Sequence, residues 1–131
     1  MGRKLLTRIS DVMHSRALPF CAHDSRFREV IQVITRGRLG LAIVMDRGKL
    51  CGVITDGDIR RAFENESASS AFTAADIMTK TPKTIKQSER LVVAEELMRE
   101  EKIKELIVVD DDEQVAGVLQ IFDLDQAESG Q

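Results

Sequence analysis

Hydrophobic residues recur at helical spacing in each half of the chain. On one predicted helix face of the first half lie Phe27, Val30, Ile31 and Ile34. The matching face of the second half carries Leu91, Ala94, Leu97 and Met98. Because these positions follow the i, i+3, i+4, i+7 pattern, they predict one amphipathic helix per half. Asp24 and Ser88 stand at equivalent points three residues earlier, and we expect them to be the N-caps.

Two short apolar runs with a polar turn between them follow each predicted helix. The runs are 41–45, 50–54, 106–109 and 115–119, and the turns are 46–49 and 110–114. Because the turns are short and rich in Gly and Asp, each pair of runs predicts a β-hairpin. A brief helix should follow the first hairpin, since Ile59, Ala62 and Phe63 share one face. Each half is therefore predicted to run strand, helix, strand, strand, helix, in a mixed α+β fold.

Short motifs recur 65 positions apart along the chain. The matched pairs are Ser10-Asp11-Val12-Met13 with Ala75-Asp76-Ile77-Met78, Leu41-Ala42-Ile43-Val44 with Leu106-Ile107-Val108-Val109, Gly52-Val53-Ile54 with Gly117-Val118-Leu119, and Asp58-Ile59 with Asp123-Leu124. Four matches in one register indicate an internal repeat.

The repeat divides the chain into segments. We predict repeats at 9–64 and 73–125, a linker at 65–72, a leading segment at 1–8 and a frayed tail at 126–131. Because each repeat is too small to bury its apolar faces alone, we expect the halves to pack sheet to sheet about a pseudo-twofold axis. Such packing would leave a cleft on each side.

Composition excludes several classes of function. Hydrophobic residues make up 43% and charged residues 31% of the sequence, as in a folded water-soluble domain. A net charge of −3 and the lack of Trp and Tyr argue against binding to nucleic acid or to a membrane. The opening residues show no signal-peptide pattern, which favours the cytoplasm. Cys21 and Cys51 lie in apolar contexts and are predicted to be small core residues of a reduced compartment.

Three features together resemble the CBS domain family: the order of elements, the D-V/I-M motif and the G-V-I-T-x-x-D pattern of 52–58. That family occurs as tandem pairs that bind adenosyl or other nucleotide ligands, and the resemblance covers about 9–125. More narrowly, T-D-G-D-I-R-R at 55–61 resembles the CBS pair at the C-terminus of sugar isomerases of the arabinose 5-phosphate isomerase family. Residues 2–6 are similar to the junction at which the catalytic domain of those enzymes ends.

The resemblance implies a regulatory fragment of a longer enzyme. In that family an upstream sugar-isomerase (SIS) domain interconverts D-arabinose 5-phosphate and D-ribulose 5-phosphate on the path to the sugar acid Kdo. We therefore expect no enzymatic activity and no required cofactor in this chain itself. Paired CBS units commonly form flat dimers, so a homodimer is also expected.

Thr55 and Asp58 are the leading candidates for ligand binding. The resemblance implies that the Asp58 carboxylate accepts both hydroxyls of a ribose and that the Thr55 hydroxyl meets a phosphate. A carboxylate suits this role because it only accepts hydrogen bonds, and the helix that begins nearby offers free N–H groups to an anion. The alternative is a capping box, in which Thr55 is the N-cap and Asp58 reaches back to its N–H. Both roles can coexist.

Neighbouring charges refine the expected ligand. Arg60 and Arg61 could neutralise a phosphate or carboxylate, or they could simply be surface arginines. Asp56 and Asp58 would repel a bare polyanion. A sugar diol with limited negative charge therefore fits best.

The second repeat departs from this pattern. Gln120 stands where Thr55 stands, Ile121 and Phe122 replace Asp56 and Gly57, and Asp123 alone is kept. We therefore expect the Thr55 site to dominate, with Gln120 and Asp123 forming a weaker second site. Lys104 could reach the cleft, although lysines near a helix end are usually solvated.

Other polar residues indicate neither a metal nor a catalytic site. The acidic run 110–113 lacks the spaced ligands of a calcium loop and is predicted to be a solvated turn. His14 and His23 have no ligand or catalytic partner at a recognisable spacing.

Two hypotheses follow for the function. The first is a module that senses CMP-Kdo, CMP, AMP or ATP, of which CMP-Kdo is the logical feedback ligand of the Kdo path. The second is a structural module that dimerises and binds no ligand. A third possibility, an enzyme, requires a site that the sequence does not reveal.

Overall fold

The computed structural model describes residues 5–65 and 71–124. The predicted tail at 126–131, residues 1–4 of the leading segment and residues 66–70 of the predicted linker lie outside the described residues. The chain divides into two compact units, one formed by Ala17–Pro82 and the other by Met1–Arg16 together with Lys83–Gln131.

The unit Ala17–Pro82 is a four-stranded sheet with helices. Its elements are β1 (Phe20–Ala22), α1 (Phe27–Gly37), β2 (Leu41–Asp46), β3 (Lys49–Thr55), α2 (Asp56–Asn65), α3 (Ala74–Ile77) and β4 (Thr79–Lys80). The strand order is β1-β2-β3-β4, with β1 parallel to β2 and the other neighbours antiparallel. Its core cluster consists of Val30, Ala42, Val44, Ile54, Ala74 and Ile77.

The other unit repeats most of this plan. Its elements are a 3-10 turn (Ile9–Asp11), β5 (Thr84–Lys86), α4 (Leu91–Glu101), β6 (Glu105–Val109) and β7 (Val115–Gln120), and residues 121–124 are helical. The strand order is β5-β6-β7, with β5 parallel to β6 and β6 antiparallel to β7. Its core cluster consists of Ile9, Ile85, Leu91, Ala94, Met98, Leu106, Val108, Leu119 and Leu124.

The predicted mixed fold, the two main helices and the two hairpins are confirmed. The first apolar residue of each helical pattern begins its helix, at Phe27 in α1 and at Leu91 in α4. Strand β2 starts with four fully buried residues because its sequence is continuously apolar rather than alternating. The sheet-to-sheet packing about a pseudo-twofold axis stays a prediction.

The predicted N-caps are wrong. Arg26 and Arg90 occupy the N-cap positions, two residues after Asp24 and Ser88. The reason is tertiary, because the residues before each helix are extended and paired with another segment. Arg26 pairs with Thr73, and Arg90 pairs with Arg8. Those pairings set where α1 and α4 begin.

The D-x-M motifs are Asp11-Val12-Met13 in the first sequence repeat and Asp76-Ile77-Met78 in the second. Each motif lies in the unit that is formed mainly by the other repeat. Met78 lies in the unit of β3, where a Cβ on Gly52 would collide with its side chain and lie 3.0 Å from the carbonyl oxygen of Thr79. Met13 lies in the unit of β7, where a Cβ on Gly117 would lie 2.6 Å from the carbonyl oxygen of His14. Both glycines therefore allow the residues that follow the D-x-M motif to approach the sheet.

Replacing Gly52 by Ala should destabilise the protein by about 1–3 kcal/mol, because the added methyl group overpacks the contact with Met78 and Thr79. Urea denaturation measures this change. The matched control is Gly57→Ala in α2, where the new Cβ would lie 3.7 Å from its nearest neighbour and the substitution favours the helix. A Gly52→Ala protein as stable as the control variant would contradict the prediction.

Candidate functional site

A buried aspartate stands where β3 passes into α2. Asp58 lies in the first turn of α2 and only 5% of its surface is exposed. Its Oδ2 accepts from the backbone N–H of Thr55 at 2.9 Å and from the Thr55 hydroxyl at 3.1 Å. Its Oδ1 accepts from the Thr79 hydroxyl at 2.6 Å and from the Arg61 guanidinium. The carboxylate therefore links β3, α2 and β4.

This geometry includes the predicted capping contact, in which Asp58 reaches back to the N–H of Thr55. A carboxylate offers about four lone-pair positions in total. The backbone and side chains of Thr55, Arg61 and Thr79 supply four donors. A ligand hydroxyl can therefore bond to Asp58 only by replacing one of them.

A pocket of about 330 Å³ opens beside this carboxylate. It is lined by Asp58, Arg61, Ala62, Phe72, Asp76, Ile77, Met78 and Thr79. The volume is within the usual range for small-molecule sites. The lining combines an apolar wall with two carboxylates, one guanidinium and one hydroxyl.

Of the other predicted ligand residues of this unit, Arg61 lines the pocket, whereas Thr55, Asp56 and Arg60 are not among its lining residues. Asp56 and Arg60 are exposed, and neither side chain bonds to a residue that the structure describes. Arg61 is bonded to Asp58, although 62% of its side chain is exposed. Among the residues that the structure describes, the charge of Arg60 is therefore unpaired, whereas that of Arg61 is partly neutralised by Asp58.

Asp123 occupies the equivalent position in the other unit and is 4% exposed. Its Oδ2 accepts from the backbone N–H of Gln120 at 2.7 Å, and its Oδ1 lies 3.0 Å from Nε2 of His14. Lys104 is in the same unit, and its carbonyl oxygen accepts from the N–H of Ile121 at 2.8 Å. The second aspartate is thus surrounded by different donors.

Thr79 and His14 are not among the site residues predicted from the sequence. The sequence shows no metal-ligand or catalytic spacing around His14, but folding brings it to an aspartate 109 residues away. Thr79 and His14 both follow a D-x-M motif directly and stand 65 positions apart. The repeat extends to these two positions and is therefore the signal in the sequence that relates them.

The acidic run forms a turn between β6 and β7, as predicted. Asp110 Oδ1 accepts from the backbone N–H groups of Asp112 and Gln114, and Glu113 pairs with Lys86 at 2.8 Å. Over the described ranges 5–65 and 71–124, no three His, Cys, Asp or Glu side chains are grouped so as to hold a metal ion. Within the same ranges, none of the helices has both the length and the apolar character that a bilayer crossing requires.

Both cysteines pack partly buried against the core of the unit Ala17–Pro82, as predicted for small core residues. Burial, the nearby Cys51 and Glu29 raise the pKa of the Cys21 thiol to about 11. The pKa of Cys51 is also raised, mainly by burial and to a smaller extent by the charge of Asp46. Folding therefore favours the neutral thiol of Cys21, and this contribution to stability is lost as pH rises from 9 through about 11.

Only the thiolate reacts with iodoacetamide, and the raised pKa of Cys21 lowers its thiolate fraction in the folded protein. Alkylation of Cys21 at pH 8 should therefore be about a hundredfold slower in the folded protein than in urea. The folded rate should keep rising up to pH 11, whereas the unfolded rate should level off near pH 9. Peptide mass spectrometry measures both. Equal rates at pH 8 would contradict the raised pKa.

Comparison with known proteins places these observations in a family. The profile of the CBS domain family matches residues 9–65 and again 74–130. This chain is a tandem pair of CBS domains. The two matches cover most of the sequence, and the CBS pair includes both buried aspartates.

Named relatives of this CBS pair are arabinose 5-phosphate isomerases. A probable arabinose 5-phosphate isomerase of Haemophilus influenzae is 43% identical over 92% of this chain and 36% of its own length. Arabinose 5-phosphate isomerase KpsF of Escherichia coli is 41% identical over 94% of this chain and 38% of its own length. The CBS pair thus spans little more than a third of these relatives.

A solved structure supports the same assignment. A CBS domain protein of Pyrobaculum aerophilum, described as complexed with AMP, is 28% identical, has a TM-score of 0.79 and matches over 88% of both chains. The fold of the CBS pair is therefore one on which nucleotide binding occurs in another protein.

Proposed function

We propose that this CBS pair is a regulatory module that binds a nucleotide or sugar nucleotide at Asp58 and controls an arabinose 5-phosphate isomerase. The observation that carries the proposal is the buried Asp58 carboxylate at a pocket, with two of its four donors being rotatable hydroxyls. A hydroxyl donor exchanges more readily than a backbone N–H, because rotation about its own bond releases it. Asp58 therefore suits a ligand that supplies two hydroxyls.

Replacement of protein hydroxyls by ligand hydroxyls at Asp58 would also let the predicted ligand residues act together. When ribose hydroxyls take the place of the Thr55 hydroxyl, that hydroxyl becomes available to a phosphate. Arg60 has no side-chain bond within the described ranges and supplies a second phosphate partner, as a guanidinium does well. Asp76 lines the pocket and the exposed Asp56 stands two residues before Asp58, and these negative charges favour ligands with few phosphates.

The candidate ligands are CMP-Kdo, CMP, AMP and ATP. The AMP complex of the Pyrobaculum protein supports an adenine nucleotide. The isomerase relatives support CMP-Kdo, since feedback by the activated end product would be logical on the Kdo path. In this proposal the ligand acts on an upstream SIS domain that interconverts D-arabinose 5-phosphate and D-ribulose 5-phosphate, in the cytoplasm. Repeats 9–64 and 73–125 remain our proposed boundaries.

Thermal-shift and calorimetric titrations with these four ligands test the proposal. One ligand class should raise the melting temperature, since a ligand at a hundred times its Kd stabilises the folded state by about 2.7 kcal/mol. The 2′-deoxy form of the same nucleotide should bind about tenfold more weakly, because one hydroxyl bond to a charged group is lost. Equal affinities of the ribose and deoxyribose forms would contradict diol recognition by Asp58.

A second function is favoured by one observation. The four donors of Asp58 satisfy its carboxylate within the chain, so the site is complete as a structural link. The CBS pair would then hold isomerase subunits together as a homodimer without binding a ligand. This alternative would be established if sedimentation of the purified protein showed a dimer and none of the four ligands shifted the melting temperature at millimolar concentration.

A further inference from the structure

The chain leaves the unit Ala17–Pro82 through a short segment that starts at Thr79, whose hydroxyl contacts Asp58. We call residues 79–82 the connector, because Pro82 ends this unit and Lys83 belongs to the other. Thr79 and Lys80 form β4, which pairs with β3 at only two positions, Val53 and Gly52. The connector is therefore held weakly by backbone pairing.

The conformation of the connector is strained. Thr81 has φ 49°, a left-handed value that a β-branched residue rarely adopts. Thr81 also precedes Pro82, and a following proline favours extended backbone instead. The chain will therefore hold this shape only where contacts impose it. The hydroxyl of Thr79, 2.6 Å from Asp58 Oδ1, is such a contact at the start of the connector.

Ligand hydroxyls and the Thr79 hydroxyl compete for the same carboxylate. Two of the four donors to Asp58 are hard to displace, since Thr55 N–H belongs to the backbone and the Arg61 guanidinium is charged. The remaining two are the hydroxyls of Thr55 and Thr79. A diol that bonds to both oxygens of Asp58 therefore displaces both hydroxyls.

We propose that Thr79 is the residue that reports ligand occupancy of Asp58 to the connector between the two units. Diol binding removes the Thr79 bond, and the strained connector then relaxes. This inference rests on the proposed function, because it requires a ligand that donates hydroxyls to Asp58.

The chain also passes from one unit to the other at Arg16 and Ala17, and we call this point and the connector the two crossings. The first crossing has the same features as the connector, which supports the role of Thr79. His14 stands 65 positions before Thr79 and lies 3.0 Å from Asp123. The unit boundary follows at Arg16 and Ala17, and Ala17 has φ 50°. Both crossings thus begin with a side chain on a buried aspartate and contain a left-handed residue other than glycine.

The decisive variant is Thr79→Val, which keeps the shape of the side chain and removes its hydroxyl. The protein alone should melt at a lower temperature, because the bond to Asp58 is lost. Nucleotide affinity should nevertheless rise by about tenfold, because the ligand has one competitor fewer. The matched control is Thr84→Val in β5, whose hydroxyl makes no bond within the described ranges and whose affinity should match the wild type.

Calorimetry with AMP and CMP measures affinity, and hydrogen exchange of a peptide covering 78–86 measures the connector. We expect nucleotide to accelerate exchange there in the wild type, and Thr79→Val to exchange rapidly with or without nucleotide. Weaker or unchanged affinity in Thr79→Val, or a wild-type connector whose exchange slows or stays the same on binding, overturns the role of Thr79 but leaves nucleotide binding intact. Absence of binding to the wild type overturns the proposed function as well.

Discussion

Replacing Asp58 by Asn is expected to weaken nucleotide binding at least about a hundredfold, because two hydrogen bonds from the ligand to a charged acceptor are lost or reversed. An asparagine amide has an acceptor oxygen at one of the two Oδ positions and a donor NH₂ group at the other, so it cannot accept a ligand hydroxyl at both positions. Calorimetry with the ligand that gives the largest melting shift measures this effect.

The same substitution should also lower the stability of the protein by about 1–3 kcal/mol, because a buried donor is left without an acceptor. Either Thr55 N–H or the Arg61 guanidinium would face the new NH₂ group. Far-UV circular dichroism must therefore show that the variant is folded at the titration temperature. A folded Asp58→Asn protein that binds nucleotide with wild-type affinity would contradict a ligand role for Asp58.

The matched control is Asp123→Asn in the other unit. Asp123 is equally buried, and it also accepts from a backbone N–H three residues earlier, that of Gln120. Its stability cost should therefore be similar. Nucleotide affinity should change by less than about threefold, because Gln120, Ile121 and Phe122 stand where the first repeat has Thr55, Asp56 and Gly57. If Asp123→Asn abolished binding instead, the second site would be the dominant one.

Truncating the core of either unit should produce the largest loss of stability. Ile54 and Leu119 stand 65 positions apart, and both side chains are fully buried in their own core clusters. Replacing either by Ala should cost about 2–5 kcal/mol, because apolar contacts are lost and a cavity remains. That is a large fraction of the stability of an ordinary domain.

Urea denaturation at equilibrium measures both core variants. The control is Val93→Ala in α4, whose side chain is 41% exposed and whose replacement should change stability by less than about 0.5 kcal/mol. If Ile54→Ala or Leu119→Ala unfolded at the urea concentration of the control, the assignment of these residues to the cores would be wrong.

Local chemistry explains why much of the fold could be predicted. Apolar spacing indicated α1 and α4, and Gly- and Asp-rich turns indicated both hairpins, because these signals lie within a few neighbouring residues. The repeat indicated two copies of one unit, since equal spacing of four motifs requires no knowledge of contacts, and the resemblance of those motifs to the CBS family indicated which unit it is. The N-caps were mispredicted because Arg26 and Arg90 pair with distant segments before their helices begin.

The candidate site likewise combines contacts that are local in the sequence with contacts that only tertiary folding creates. By itself the sequence determined Thr55, Asp58 and the contact between them, because residues three apart at a helix start meet through local backbone geometry alone. Only the tertiary structure decided that Thr79 completes the Asp58 site and that His14 meets Asp123. Those contacts join residues 21 and 109 positions apart. They exist because each D-x-M motif folds into the unit of the other repeat, and no local preference of either segment specifies that exchange.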